Sequence, residues 1–324
     1  MELSIVVPCY NEQEVLPRTL ARLLDLLRQL VDRQVVDPDS RVVFVDDGSR
    51  DATWTLIEQY SESHPAVHGL KLSRNYGHQN ALLAGLLTVR GDAVITLDAD
   101  LQDDPGAIEA MLEHHRRGAD VVYGVRQSRA SDSWFKRSSA RLFYRLIRRG
   151  DSRMIADHAD FRLMSRRAIE ELRGFGEVNL YLRGIIPLIG LPSSTVTYDR
   201  QPRQGGKTKY PLRKMLAFAF DGLSSFSTLP LKVITGIGLT TFLGCMGITA
   251  WALFVRMFTD RAIPGWASTV LPIYTIGAIQ ILCMGLVGEY LAKIYTEVKS
   301  RPRFIVERTT AGLPPRLIRS ESEP

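Results

Sequence analysis

Asp98 and Asp100 stand two positions apart just past the short apolar run Ala93–Leu97, and Gln102 follows two positions later. Oxygen donors at that spacing suit a hard divalent cation that keeps several waters in exchange for a diphosphate. A lone Asp-x-Asp is more often a solvated turn, so its weight comes from what surrounds it. Four other polar clusters follow apolar runs in the same way. Pro8, Tyr10, Asn11 and Glu12 come after Leu3–Val7; Asp46, Asp47, Gly48 and Ser49 come after Arg41–Val45. Ser73, Arg74 and Asn75 come after Leu70–Leu72, and Gly124 and Arg126 close Val121–Val125. Helix capping would explain one cluster, and Ser49 and Asp51 are suited to it. Five clusters in equivalent positions argue for a single site, because an open parallel sheet binds ligands in the crevice beyond the carboxyl ends of its strands.

The elements needed to align those clusters are legible up to about residue 128, where β-branched runs alternate with helical patterns, the mark of βα units. Val15, Leu16, Leu20, Leu23, Leu24 and Leu27 recur at helical spacing between the first two runs, which predicts a crossover helix and parallel neighbours. A different pattern starts at Trp134. On a helix over 134–149, Phe135, Leu142, Phe143 and Leu146 gather on one side and Arg137, Arg141, Arg145 and Arg148 on the other, as an interfacial helix requires. Pro211–Thr228 repeats this pattern.

Val233–Val255 and Trp266–Gly288 contain no charged residue. At about 1.5 Å per residue each is long enough to cross a hydrocarbon core of about 30 Å, and the short link with Pro264 and Gly265 predicts a transmembrane hairpin. Basic residues flank both ends of the pair and are nearly lacking in the link, which predicts cytoplasmic termini. The expected organisation is a cytoplasmic catalytic domain over 1–210, a juxtamembrane interface helix over 211–230, a hairpin over 231–294 and a cytoplasmic tail over 295–324. The last fifteen or so residues read as disordered.

Composition narrows the class. The 324 residues carry a formal charge of +6, which fits an acidic partner without choosing among nucleic acid, anionic lipid and phosphorylated substrate. The cationic residues concentrate beside the apolar spans rather than among aromatic platforms, which disfavours nucleic acid. Three cysteines at no metal or disulfide spacing fit a reducing compartment, and the amino-terminal MELSIVVPCYNE lacks the basic start of a signal peptide. A dinucleotide dehydrogenase would need G-x-G-x-x-G after the first strand, which is missing. A processive polysaccharide synthase would need a Q-x-x-R-W element and more spans.

The motifs SIVVPCYNE, VVFVDDGS, LSRNYG, DADLQDDP, YGVR, ADFRL and RQGGKTKY occur in this order. In that order the chain resembles the family 2 glycosyltransferases of GT-A fold, in the polyprenyl-phosphate branch that includes bactoprenol glucosyltransferases and dolichol-phosphate mannose synthases. The resemblance implies an α/β, Rossmann-like, mostly parallel catalytic domain with interface helices and a C-terminal two-helix hairpin. It implies that Pro8, Tyr10, Glu12 and Asp46 surround the base and ribose, that Asp98 sits near the nucleotide, and that Asp100 with Gln102 holds Mg²⁺ or Mn²⁺. By the same likeness Arg126 and Arg137 receive the lipid phosphate. Arg203 and Lys209 close over the diphosphate, and Asp160 is the catalytic acidic residue.

The implied reaction is inverting transfer from a nucleotide sugar, UDP-glucose before GDP-mannose, to a polyprenyl phosphate at the bacterial inner membrane. A phosphate monoester is largely dianionic near neutral pH and already nucleophilic, so Asp160 is expected to position groups at least as much as to remove a proton. Gly236, Gly244, Gly247, Gly285 and Gly288 would permit the close helix packing of a homo-oligomer. A non-catalytic membrane scaffold keeping the sugar-nucleotide fold is the alternative from another class.

Overall fold

The computed structural model describes residues 1–126, 158–177, 182–199 and 265–313, with scattered helical positions between 236 and 258. The chain divides into two compact units: Met1–Tyr144, Arg153–Lys209 and Arg301–Pro324 form one, Arg145–Ser152 and Tyr210–Ser300 the other. The expected interface helices over 134–149 and 211–230, the basic loop with Arg203 and Lys209, and most of the first apolar span lie outside the described residues.

The first unit is built on an eight-stranded sheet. Its strands are β1 (Leu3–Cys9), β2 (Arg41–Asp46), β3 (Val67–Leu72), β4 (Ala93–Thr96), β5 (Val121–Arg126), β6 (His158–Ser165), β7 (Ser193–Tyr198) and β8 (Val306–Thr309). They are ordered β7-β5-β6-β4-β1-β2-β3-β8. β3, β2, β1 and β4 run parallel, as the crossover pattern requires. All seven residues of β1 are buried, which is why LSIVVPC reads as a continuous apolar run rather than an alternating one.

Helix α1 (Leu16–Asp32) lays Leu16, Leu20, Leu23, Leu27 and Leu30 into the core. Next come α2 (Thr53–Ser63), α3 (His78–Thr88) and α4 (Ala107–Arg116), followed by α5 (Arg166–Arg173) and α6 (Leu182–Leu188). α3 is buried from Ala81 to Thr88. Gly85 lets it approach the sheet, since a Cβ there would meet Val6 Cγ1 at 2.3 Å.

Two features position the site. β6 is inserted antiparallel between β4 and β5, pairing Thr96 with Arg162, so its amino end lies beside the carboxyl end of β4. β8 comes from the far end of the chain and pairs antiparallel with β3, closing an edge that sequence patterning did not reveal. Ser73 N–H donates to Ile305 at 2.9 Å, Gly69 N–H to Thr310 Oγ1 at 2.8 Å, and Leu313 is buried.

In the second unit, α7 (Gly265–Val298) is a 34-residue helix. Ile273, Met284 and Leu291 are exposed along it. Among the described residues, no helix is long and apolar enough to cross a membrane.

Candidate active site

The register of β1 on β2 sets Cys9 opposite Asp46, so the loops after the two strands leave the sheet at the same level. Those loops are laced together. Asn11 N–H donates to Ser49 Oγ at 2.9 Å, Arg50 N–H to Asn11 Oδ1 at 2.8 Å and Glu12 N–H to Thr53 Oγ1 at 2.9 Å. Ser49 therefore works across the site rather than capping α2, while Asp51 does accept from Thr53 N–H at 3.1 Å.

The third loop joins through Asp47, whose carboxylate accepts Tyr76 N–H at 2.7 Å and Gly77 N–H at 2.9 Å. Gly48 makes that junction possible. It sits at φ +66°, and a Cβ would stand 2.4 Å from the Arg74 carbonyl carbon. Backbone cannot yield as a side-chain tip can, so Gly48→Ala is expected to cost about 2–4 kcal/mol in urea unfolding and to loosen the first three loops together.

Three carboxylates meet here in different electrostatic states. Asp46 is buried at the end of β2, with Oδ1 accepting Ser49 N–H at 3.2 Å and Oδ2 buried without a hydrogen-bond partner among the described residues. Burial raises its pKa, partly offset by the Ser49 bonds. Asp98 keeps 38% of its side-chain surface, but its Oδ1 is shielded and has no hydrogen-bond partner among the described residues. Burial pushes its pKa up to about 6, against the opposing pull of His78.

Asp160 is the reverse case. It is only 6% exposed, yet its Oδ1 accepts Arg162 Nη2 at 2.6 Å and Arg183 Nε at 3.1 Å, and its Oδ2 accepts Arg183 Nη2 at 2.9 Å and Gln79 Nε2 at 3.3 Å. Desolvation would raise its pKa; the pull of the His78 imidazole and of the two guanidinium groups overcomes that and holds it well below the usual carboxylate range. The alternation of ADFRL explains the pairing, since Asp160 and Arg162 share one face of β6. Phe161, on the other face, packs edge-on to Tyr198 at 5.3 Å.

The structure thus brings together Pro8, Glu12, Asp46, Asp98, Asp100, Gln102 and Asp160, all at the carboxyl-end crevice or, for Asp160, at the amino end of the antiparallel strand. Pro8 is buried in β1, and Tyr10 stands 42% exposed just beyond it. Arg126 is the last residue of β5, opposite Tyr198. Arg137, Arg203 and Lys209 lie outside the described residues. Sequence reasoning did not single out His78, Gln79, Arg162 and Arg183. The signal available for Arg162 was its i, i+2 relation to Asp160, and for His78 and Gln79 their place directly after LSRNYG.

The donors around the Asp98–Gln102 turn are hard oxygens: two carboxylates and an amide, with one Asp98 oxygen buried and unsatisfied by the described residues. Gln102 is buried and its N–H holds Asp100 Oδ1 at 3.2 Å, while Leu101 at φ +49° makes the tight turn. That set fits a divalent cation in kind. Among the described residues no group of three His, Cys, Asp or Glu side chains is arranged to hold a metal ion by itself, and an ion such as Mg²⁺ ordinarily keeps several waters beside one or two carboxylates.

The model for glycosyl transferase family 2 matches residues 4–173. This chain belongs to glycosyl transferase family 2. It is a glycosyltransferase of α/β, GT-A-like fold, and the dehydrogenase alternative falls with that membership. The family 2 chain is 45% identical over 307 residues to a Bacillus subtilis (strain 168) protein named uncharacterized glycosyltransferase YkoT, covering 94% of this chain and 91% of that one. It is 36% identical over 318 residues to the SfII prophage-derived bactoprenol glucosyl transferase of Shigella flexneri, covering 97% and 100%. It is also 36% identical over 312 residues to the prophage bactoprenol glucosyl transferase homolog of Escherichia coli (strain K12), covering 95% and 99%.

Proposed function

We propose that this transferase moves a sugar, glucose from UDP-glucose in the leading reading, onto a polyprenyl phosphate with inversion at the anomeric carbon. The observation that carries the reading is 36% identity along essentially the whole length of a protein named for bactoprenol glucosyl transfer. The buried oxygens of Asp46 and Asp98 support it, because each is an acceptor that no donor among the described residues satisfies. Ribose hydroxyls and a base N–H would supply such donors, and a buried acceptor left unmet is costly. In this reading Pro8, Tyr10 and Glu12 complete the nucleoside pocket.

Breaking the sugar–diphosphate bond builds negative charge on the departing diphosphate, and fixed cations aimed at it stabilise the transition state. Mg²⁺ or Mn²⁺ held by Asp100 and Gln102 would supply part of that charge when bound. Arg203 and Lys209 would supply the rest, and Arg126 with Arg137 would take the acceptor phosphate. Asp160 stays ionised and, with its oxygens already engaged by two arginines, orients rather than accepts a proton. The acceptor's own dianion attacks from the opposite face, so an α-linked donor gives a β-linked lipid.

The acceptor's tail requires the site to work beside a bilayer. The uncharged stretches Val233–Val255 and Trp266–Gly288 support a hairpin in the bacterial inner membrane with the catalytic domain on the cytoplasmic side.

The test is to incubate detergent-purified full-length protein with undecaprenyl phosphate, Mg²⁺ or Mn²⁺ and labelled nucleotide sugars. A labelled glycolipid formed from UDP-glucose and abolished by EDTA is expected. GDP-mannose as the sole productive donor would replace the donor assignment, and no labelled lipid from any nucleotide sugar would overturn the acceptor class.

A further inference from the structure

Two carboxylates with different partners share one imidazole. His78, the first residue of α3, places Nε2 3.5 Å from Asp98 Oδ1 and 3.5 Å from Asp160 Oδ2. A single N–H donates to one oxygen at a time, and at this separation it forms a tight bond with neither, so its main effect is to attract both. The attraction is unequally needed. Asp160 is also held by Arg162, Arg183 and Gln79, whereas Asp98 Oδ1 has no hydrogen-bond partner among the described residues.

The imidazole is carried on a fixed base. The backbone just before it is pinned by the two N–H bonds to Asp47, and Asn80 Nδ2 donates back to Tyr76 O at 2.9 Å. Its neighbour Gln79 contacts Asp160 through Nε2 and accepts Leu182 N–H at 3.0 Å through Oε1. The first turn of α3 is therefore joined to β2, β6 and α6, and His78 extends that framework to the end of β4.

We propose that His78 is a positioning residue that ties Asp98, on the side of the nucleotide sugar, to the rigid Asp160–Arg162–Arg183 cluster and so sets Asp98 for donor binding. The inference rests on the transferase reading above and adds to it a residue acting through Asp98 rather than on the substrate. Losing the imidazole should leave Asp160 in place and release Asp98, so the loss falls on donor affinity more than on turnover.

The experiment compares His78→Ala, His78→Asn and His78→Gln in the full-length protein. Glutamine can bring an amide N–H to about the position of Nε2; asparagine reaches only about as far as Nδ1. His78 is 44% exposed, so all three variants should fold, which thermal melting checks. The alanine and asparagine variants are expected to raise the KM for UDP-glucose about tenfold, the worth of one modest polar interaction, with kcat within about threefold of wild type. The glutamine variant should recover most of that loss. Wild-type donor KM in the alanine and asparagine variants overturns the proposal, as does a glutamine variant as impaired as alanine, or a loss confined to kcat.

Calorimetric titration with UDP or GDP in the presence of Mn²⁺ separates this outcome from failure of the acceptor assignment. If wild type binds nucleotide but glycosylates no undecaprenyl phosphate, the acceptor class fails, and the same order of variants in Kd decides the role of His78. A wild type that binds neither nucleotide overturns both.

Discussion

Asp98→Asn will weaken donor binding and make the protein more stable. Donor affinity is expected to fall about tenfold to a hundredfold, the scale of losing a hydrogen bond to a charged acceptor in the nucleoside pocket. Stability should move the other way. The folded pKa of Asp98 is raised to about 6, so between the unfolded value near 3.8 and about 6 the native state holds a proton that the unfolded chain has released. Folding therefore loses stability as pH rises through that window, and asparagine removes the loss. A shift of about two pKa units would be worth about 3 kcal/mol, but the side chain is 38% exposed and solvent screening reduces this to about 1 kcal/mol. Calorimetry at pH 7 should show the gain, and it should vanish towards pH 4. By the same sign, wild-type donor affinity should weaken as pH falls through about 6. A variant with unchanged affinity or lowered stability at pH 7 would show that Asp98 does not carry this burden.

Asp160→Ala will have the opposite thermodynamic effect. Arg162 is 1% exposed, and removing its carboxylate partner leaves a buried guanidinium without its counterion. Such a loss costs about 3–5 kcal/mol. Because the folded pKa of Asp160 is depressed, its contribution is present above the unfolded carboxylate pKa and is lost as pH falls through the lower folded value. Asp160→Asn keeps the shape and one acceptor oxygen and should be milder in denaturant titrations. Its kcat should fall by a factor that stays constant between pH 6 and 8, because a carboxylate held this far below neutrality is poorly matched to serve as a general base there. A pH–rate limb that disappears in the asparagine variant would restore the general-base role.

The parallel half of the sheet was legible because buried parallel strands announce themselves as unbroken apolar runs, and Leu3–Val7, Arg41–Val45 and Ala93–Leu97 correspond to β1, β2 and β4 within a residue or two. β6 was hidden as a strand by its charges. Asp160 and Arg162 neutralise each other inside it, so a segment that reads as a polar motif is in fact buried. β8 is four residues of an edge, VERT, with no apolar pattern to betray it. The site was legible wherever polar residues follow a strand. Asp160 was reached through the resemblance and not through strand patterning, because that residue enters from the amino end of an antiparallel strand, a relation fixed by tertiary pairing alone. His78 went unnoticed for the same reason, since both its partners are distant in sequence.

The pairing of β8 with β3 has a bearing on biogenesis. The hydrogen bond from Gly69 to Thr310 joins positions 241 residues apart, so the sheet edge beside the Ser73–Asn75 loop stays open until β8 has been synthesised and has emerged. Closing so long a loop is slow, and an unpaired edge meanwhile offers its backbone to other chains. Completion of the sheet is thereby timed to follow emergence of everything between β3 and β8, so a chain interrupted before β8 keeps an open edge.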